Sequence, residues 1–204
     1  MFDKNNTMVQ GFLKIWDPAT SEILVDKRNA IHYENFSEAL AYSIANKNRG
    51  TIYQMQFGNG ATAIDSTGIV TYLPTKTNEA NSTLYNRTYS KIVDDNNPNN
   101  YDSTRNRIEV RHTSGLTYTD LFITCLLDYS EPTGQAAFDN SATMTGDYVF
   151  DELGIFSYDT AGTDSVGKML THVIFHPVQK SLNRLIQIDY TIRIQSLTNL
   201  SSNL

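Results

Sequence analysis

Ile186-Gln187-Ile188-Asp189-Tyr190-Thr191-Ile192-Arg193-Ile194-Gln195 alternates apolar and polar residues without a break. Successive side chains of an extended chain point to opposite faces. The run therefore predicts a β-strand with Ile186, Ile188, Tyr190, Ile192 and Ile194 on a dry face. Gln187, Asp189, Thr191, Arg193 and Gln195 form the wet one. Upstream, residues 169–175 and 148–158 read as two further strands around a polar turn at 159–167. Residues 107–112 and 118–127 form a hairpin turned at Thr113-Ser114-Gly115.

Earlier in the chain, Tyr53, Met55 and Phe57 alternate with Gln54 and Gln56, which predicts a half-buried strand closed by Gly58-Asn59-Gly60. Residues 68–73 form a short strand stopped by Pro74, 84–93 a further segment, and 94–100 a polar surface loop. Residues 8–26 read as a hairpin around Asp17-Pro18-Ala19-Thr20-Ser21. One helix stands out: Phe36, Leu40 and Ile44 recur at i, i+4 and i+8. Asn35 is placed as its N-cap, Glu38 as a capping-box acid, and residues 46–50 as its stop. The expected fold is mainly β: an antiparallel β-sandwich with one short helix and an N-terminal hairpin arm. The boundaries read as an arm at 1–29, the sandwich domain at 30–197 and a flexible tail at 198–204.

The chain has 204 residues, 40% hydrophobic, enough for one core. Only 19% are charged, below the usual quarter, and hydroxyl and amide side chains take their place. Net charge is -6, and the sixteen basic residues are scattered, so no basic face for nucleic acid is expected. The N-terminus lacks the basic and apolar regions of a signal peptide, and no apolar run is long enough to span a bilayer; no membrane partner is expected. The single cysteine, Cys125, lies inside Leu121-Phe122-Ile123-Thr124-Cys125-Leu126-Leu127 and reads as a small buried hydrophobe.

No catalytic constellation emerges. His172 and His176 on one strand share a face but stand about 13 Å apart at ~3.3 Å per residue, too far for one zinc ion. They read as solvent-face or interface histidines. Asp94, Asp95 and Asp102 lack EF-hand spacing. Asp151 and Glu152 are strand neighbours on opposite faces, so they cannot flank one substrate as a hydrolase pair; one of them is expected to be held by backbone or arginine hydrogen bonds. Gly58-Asn59-Gly60 lacks the lysine and following helix of a phosphate loop. No catalytic residue, metal or cofactor is expected.

The order of parts carries a resemblance. A helix holding Phe36-Ser37-Glu38-Ala39-Leu40-Ala41 precedes Met55-Gln56-Phe57-Gly58-Asn59-Gly60-Ala61-Thr62. Leu84-Tyr85-Asn86-Arg87-Thr88-Tyr89 and Phe150-Asp151-Glu152-Leu153-Gly154-Ile155-Phe156 follow, then a strand with Lys180 behind it. This resembles the N-terminal domain of bacteriophage tail-collar fibre and tail-fibre attachment proteins, over about residues 30–195. The residues that carry it are Gly58, Gly60, Leu84, Asn86, Arg87, Glu152, Gly154, Phe156 and Lys180. The resemblance implies a non-enzymatic virion protein that pairs with itself as a homo-oligomer and with other tail, neck or baseplate proteins. In fibres the module leads into a repetitive shaft, which the sequence here does not contain, so an adaptor or collar subunit is expected. A capsid decoration (cement) protein and a carbohydrate-binding module for host recognition are the alternatives.

Overall fold

The structure, a computed structural model, describes residues 6–133 and 148–197. The tail expected at 198–204 lies outside the described residues. The chain runs β1 (Asn6–Asp17), β2 (Glu22–Ile31), α1 (Tyr33–Ile44), β3 (Arg49–Gly58), β4 (Thr62–Ile64), β5 (Val70–Tyr72), β6 (Arg87–Ile92), β7 (Arg107–Arg111), β8 (Tyr118–Leu127), β9 (Val149–Asp159), β10 (Val166–Gln179) and β11 (Ile186–Leu197). Nine of the strands form one antiparallel sheet in the order β6-β3-β9-β10-β2-β1-β11-β8-β7. β4 and β5 form a separate two-stranded ribbon.

The sheet curls into a sandwich-like fold, and β2 is where it turns. Residues 22–29 pair with β1, whereas β10 meets β2 only at Ala30 and Ile31. One main core lies inside the fold, with a small second cluster of Leu84, Phe156 and Met169. Leu13, Ile15, Ile123, Cys125, Ile188 and Tyr190 come from one half, and Met55, Phe57, Leu153, Ile155, Val173 and Phe175 from the other. On the open side Lys91 of β6 donates to the Leu126 carbonyl of β8 at 2.6 Å. Among the described residues the fold is mainly β with one α-helix.

The deciding strand behaves as its pattern predicts. Ile186, Ile188, Tyr190 and Ile192 are buried, and Ile194 is half-buried towards the end of the strand. Burying each such side chain contributes about 1.5–3 kcal/mol. The other face is bound rather than bare. Asp189 accepts from the Trp16 indole and from Gln187, each at 2.9 Å, and Arg193 donates to both oxygens of Asp120 at 2.8 Å. Cys125 is fully buried, and burial pushes its thiol up to about 12.

Three expectations are corrected. The N-terminal hairpin forms, with Asp17 closing its turn on the Ala19 amide, but it is no arm: β1 lies between β2 and β11 in the middle of the sheet. The closing strand β11 pairs along the free edge of β1 from Asn6 to Trp16 and so takes the hairpin into the sheet. The helix starts earlier than expected, with His32 rather than Asn35 as N-cap, and it turns a different face inward. Asn35, Phe36 and Ala39 are buried, while Leu40 is 38% and Ile44 78% exposed. Asn35 donates to the Met169 carbonyl at 2.9 Å, and Glu38 pairs with Lys168 instead of capping. Ala39 lies against Gly50, whose φ of +87° and lack of a side chain let the helix backbone approach β3; an added Cβ would stand 2.4 Å from the Ala39 carbonyl oxygen. Lastly, β3 is not half-buried. Gln54 and Gln56 are as inaccessible as Tyr53, Met55 and Phe57, because this part of the sheet is covered on both faces.

Candidate functional site

The cover on the outer face of β3, β9 and β10 includes the segment 74–86, which has no regular secondary structure. Such a segment leaves backbone amides and carbonyls without ladder partners. Buried side chains of the sheet and of the α1 entry satisfy several of them.

Glu152 on β9 is the central group. It is fully buried and accepts from the Tyr85 and Asn86 amides at 2.9 Å each and from His172 Nε2 at 3.0 Å. The tautomer of His172 follows from its other partner. Its Nδ1 lies 2.9 Å from the Lys76 amide, which can only donate, so Nε2 carries the proton given to Glu152. His32 is arranged in the same way. Its Nδ1 accepts the Asn35 amide at 3.3 Å as the helix cap, and its Nε2 donates to the Glu79 carbonyl at 2.8 Å. Three buried side chains, Glu152, His172 and His32, thus hold one surface segment at Lys76, Glu79, Tyr85 and Asn86.

Burial is the largest influence on Glu152 and disfavours its charge. The hydrogen bond from His172 and those from the Asn86 and Tyr85 amides outweigh it, and the carboxyl is held below its usual range. Its neighbour Asp151 points to the opposite face. It accepts from the Ala61 amide at 3.1 Å and from the Thr62 amide and hydroxyl at 2.8 and 2.5 Å. Here burial wins over the hydrogen bonds, and the carboxyl is held above its usual range. Both acids of the pair are therefore backbone staples, one for residues 61–62 and one for 85–86.

The residues singled out in the sequence gather here, with one exception. Gly58 is paired with Glu152 across β3 and β9, and an added Cβ would lie 2.5 Å from both Glu152 Oε1 and the Asn86 carbonyl oxygen. A Cβ at Gly60 would stand 2.9 Å from Asn86 and Tyr85. Gly154 leaves room for Leu84, which packs with Phe156 and Met169. The Asn86 side chain donates to Asn59 Oδ1 at 2.6 Å. Arg87 is exposed and opens β6 opposite Gly58.

Lys180 lies apart, past the last pairing of β10. It is fully buried, with Nζ donating to the Ser181 carbonyl at 2.9 Å. Burial pulls its pKa down to about 8, against the pull of Glu131 and Asp128. The unfolded chain, at the ordinary 10.5, binds more protons between these two values, so this group makes stability rise with pH across that window. Cys125 and the buried tyrosines, whose pKa values burial raises, act in the opposite direction at the alkaline end, so the test is a difference. In thermal melts from neutral pH to pH 10.5 the wild type is expected to gain stability relative to Lys180→Met as pH rises.

His172 was expected on a solvent face and is instead fully buried, because segment 74–86 closes over it. His176, four residues on, is exposed, 3.4 Å from the Tyr72 hydroxyl. Among the described residues no group of three His, Cys, Asp or Glu side chains is placed to hold a metal ion. No helix among them is long and apolar enough to cross a membrane. The local signal for the His172–Glu152 pair was slight. Gly154 stands opposite His172 and frees the space above the strand, but only the long-range position of segment 74–86 turns these residues into a cluster.

Compared with known proteins, the chain matches no family model, no curated protein and no solved structure.

Proposed function

We propose that the protein is a non-enzymatic structural subunit of a bacteriophage virion, an oligomeric adaptor of the tail, neck, collar or fibre attachment. One observation carries the reading. Of the residues of the tail-collar resemblance, Gly58, Gly60, Leu84, Asn86, Glu152, Gly154 and Phe156 meet where segments 58–62 and 84–86 pack on β9, while Arg87 is exposed opposite Gly58 of β3 and Lys180 lies apart. Residues scattered over about a hundred positions of sequence gain a common reason in this fold. The acid–imidazole pair at its centre has no solvent exposure and spends its hydrogen bonds on backbone, which favours a framework over a reaction centre.

The surface suits assembly. Tyr33, Leu40 and Ile44 form an exposed apolar stripe along α1, at i, i+7 and i+11. Ile64, Ile69, Tyr72 and Leu73 are exposed on the β4–β5 ribbon. Grouped apolar residues of this kind mark interaction surfaces more often than single ones. The edge strand β7, by contrast, carries Arg107, Glu109 and Arg111, a pattern that discourages strand-to-strand joining. Side-chain faces rather than sheet edges then make the contacts between copies.

The test is mass spectrometry and immunogold labelling of particles made by the phage that encodes the chain, with light scattering of the purified protein. The expected result is an oligomer in solution and label confined to one end of the particle. Label spread over the capsid shell would replace the adaptor reading with a cement protein. Absence from particles would overturn the virion reading.

A further inference from the structure

The segment that the buried cluster fastens also borders a half-open pocket of about 310 Å³, at the small end of the range for ligand sites. Thr75, Thr77, Asn78 and Asn81 line it, and among the described residues their side chains form no hydrogen bond within the protein. Hydroxyls and amides both donate and accept, and here two half-buried threonines and two exposed asparagines line the pocket with no bond committed to the protein. The frame behind them is fixed. Lys76 is held through its amide by His172, Glu79 through its carbonyl by His32 and Tyr85 through its amide by Glu152. The Tyr85 hydroxyl ties the two ends of the segment together by donating to the Pro74 carbonyl at 2.7 Å. A long irregular segment pinned by buried polar groups at this density is the arrangement of a preorganised binding loop.

Charge decides the class of ligand. The pocket's cation, Lys76, lies 3.9 Å from the centre of the Tyr85 ring, and its anion, Glu79, balances it. The rest of the lining is uncharged and rich in two-way hydrogen-bonding groups, which match neighbouring hydroxyls that are themselves both donors and acceptors. We propose that the pocket at residues 74–85 binds a neutral saccharide of one or two rings. The proposal stands on the pocket itself and does not depend on the virion reading.

The experiment is two-dimensional amide NMR of the full chain titrated with methyl glucoside, methyl galactoside and methyl N-acetylglucosaminide, and with inorganic phosphate as the charged probe. The expected result is saturable shifts at the Thr75, Thr77, Asn78 and Asn81 amides with at least one of the saccharides in the millimolar range. The double variant Thr77→Ala/Asn81→Ala removes pocket-lining groups with no internal bonds. It is expected to keep the wild-type melting temperature and to weaken the saccharide by about tenfold or more. Absence of saturable shifts with all three saccharides would overturn the proposal. So would saturation by phosphate alone, or undiminished saccharide binding in the double variant.

Discussion

Glu152→Ala is expected to destabilise the protein by about 3–5 kcal/mol, the range for removing one partner of a buried polar pair. The loss is large because the carboxylate serves three donors. Without it the Tyr85 amide, the Asn86 amide and His172 Nε2–H lose that acceptor, His172 in a fully buried position and Tyr85 in a half-buried one. Each unsatisfied buried donor costs on the order of 1–3 kcal/mol. For a chain of this length the loss lowers the melting temperature by on the order of 10 °C, measurable by calorimetry. Glu152→Gln is expected to fall between, since its amide oxygen accepts while its NH₂ faces donors. The effect depends on pH with a definite sign. A carboxyl held below its ordinary range stabilises fully above that range and loses its contribution as pH falls through the folded value. The gap between wild type and Glu152→Ala is therefore widest at neutral pH and narrows in acid. Asp151, held above its ordinary range, acts in the opposite direction: its contribution makes stability fall as pH rises from the ordinary value to the folded one. A melting temperature for Glu152→Ala within about 2 °C of wild type at neutral pH would contradict the role given to this residue.

Gly58→Ala is the second large effect, expected at about 3 kcal/mol, the upper part of the range for forcing an extra carbon into a packed site. The new methyl would lie 2.5 Å from the Asn86 carbonyl oxygen and 2.5 Å from Glu152 Oε1. Neither atom is free to retreat. The Asn86 carbonyl accepts the Asn59 amide at 3.1 Å, and Glu152 Oε1 accepts the Asn86 amide. Gly68→Ala is the control. Nothing lies within 4 Å there, and the only strain comes from its φ of +85°, so about 1 kcal/mol is expected. Because Gly58 and Glu152 touch, their substitutions will not add. In the Glu152→Ala background one of the two clashes is gone, and Gly58→Ala is expected to cost less than it does alone. Chemical denaturation of the four proteins in the cycle checks this.

What could be read from the sequence was what depends on local period and turn chemistry. The closing strand, the β7–β8 hairpin and the β1–β2 hairpin all follow from alternation between turn-forming clusters. Period alone could not say which neighbours a strand has. The β1–β2 hairpin looks detachable in sequence, yet it is central in space because β11 returns to pair along β1 from Asn6 to Trp16. The helix shows the same limit. The Phe36, Leu40 and Ile44 stripe is a sound helical period, but packing follows the small residue: Ala39 meets Gly50 backbone to backbone, and that rotation leaves Ile44 in solvent. The Gln residues of β3 read as solvent-facing because nothing near them announces a cover over the strand.

The site was legible in its parts and illegible as a whole. The glycines, Leu84, Asn86 and Glu152 were marked by motif, and Asp151 and Glu152 were placed on opposite faces, where both hold backbone amides. His172 was missed because its partners, Lys76 and Glu152, lie 96 and 20 residues away and share no sequence period with it. A histidine on a strand alternating into the polar face carries no mark of burial until the covering segment is placed.

The whole site rests on segment 74–86 being locked to the sheet by Glu152, His172 and His32. Native-state hydrogen exchange at the Lys76, Tyr85 and Asn86 amides tests it most directly, since exchange reports the free energy of local opening. The prediction is protection comparable to that of the core strands β9 and β10, although these amides belong to no helix or ladder. Exchange at the rate of an open surface loop would contradict it.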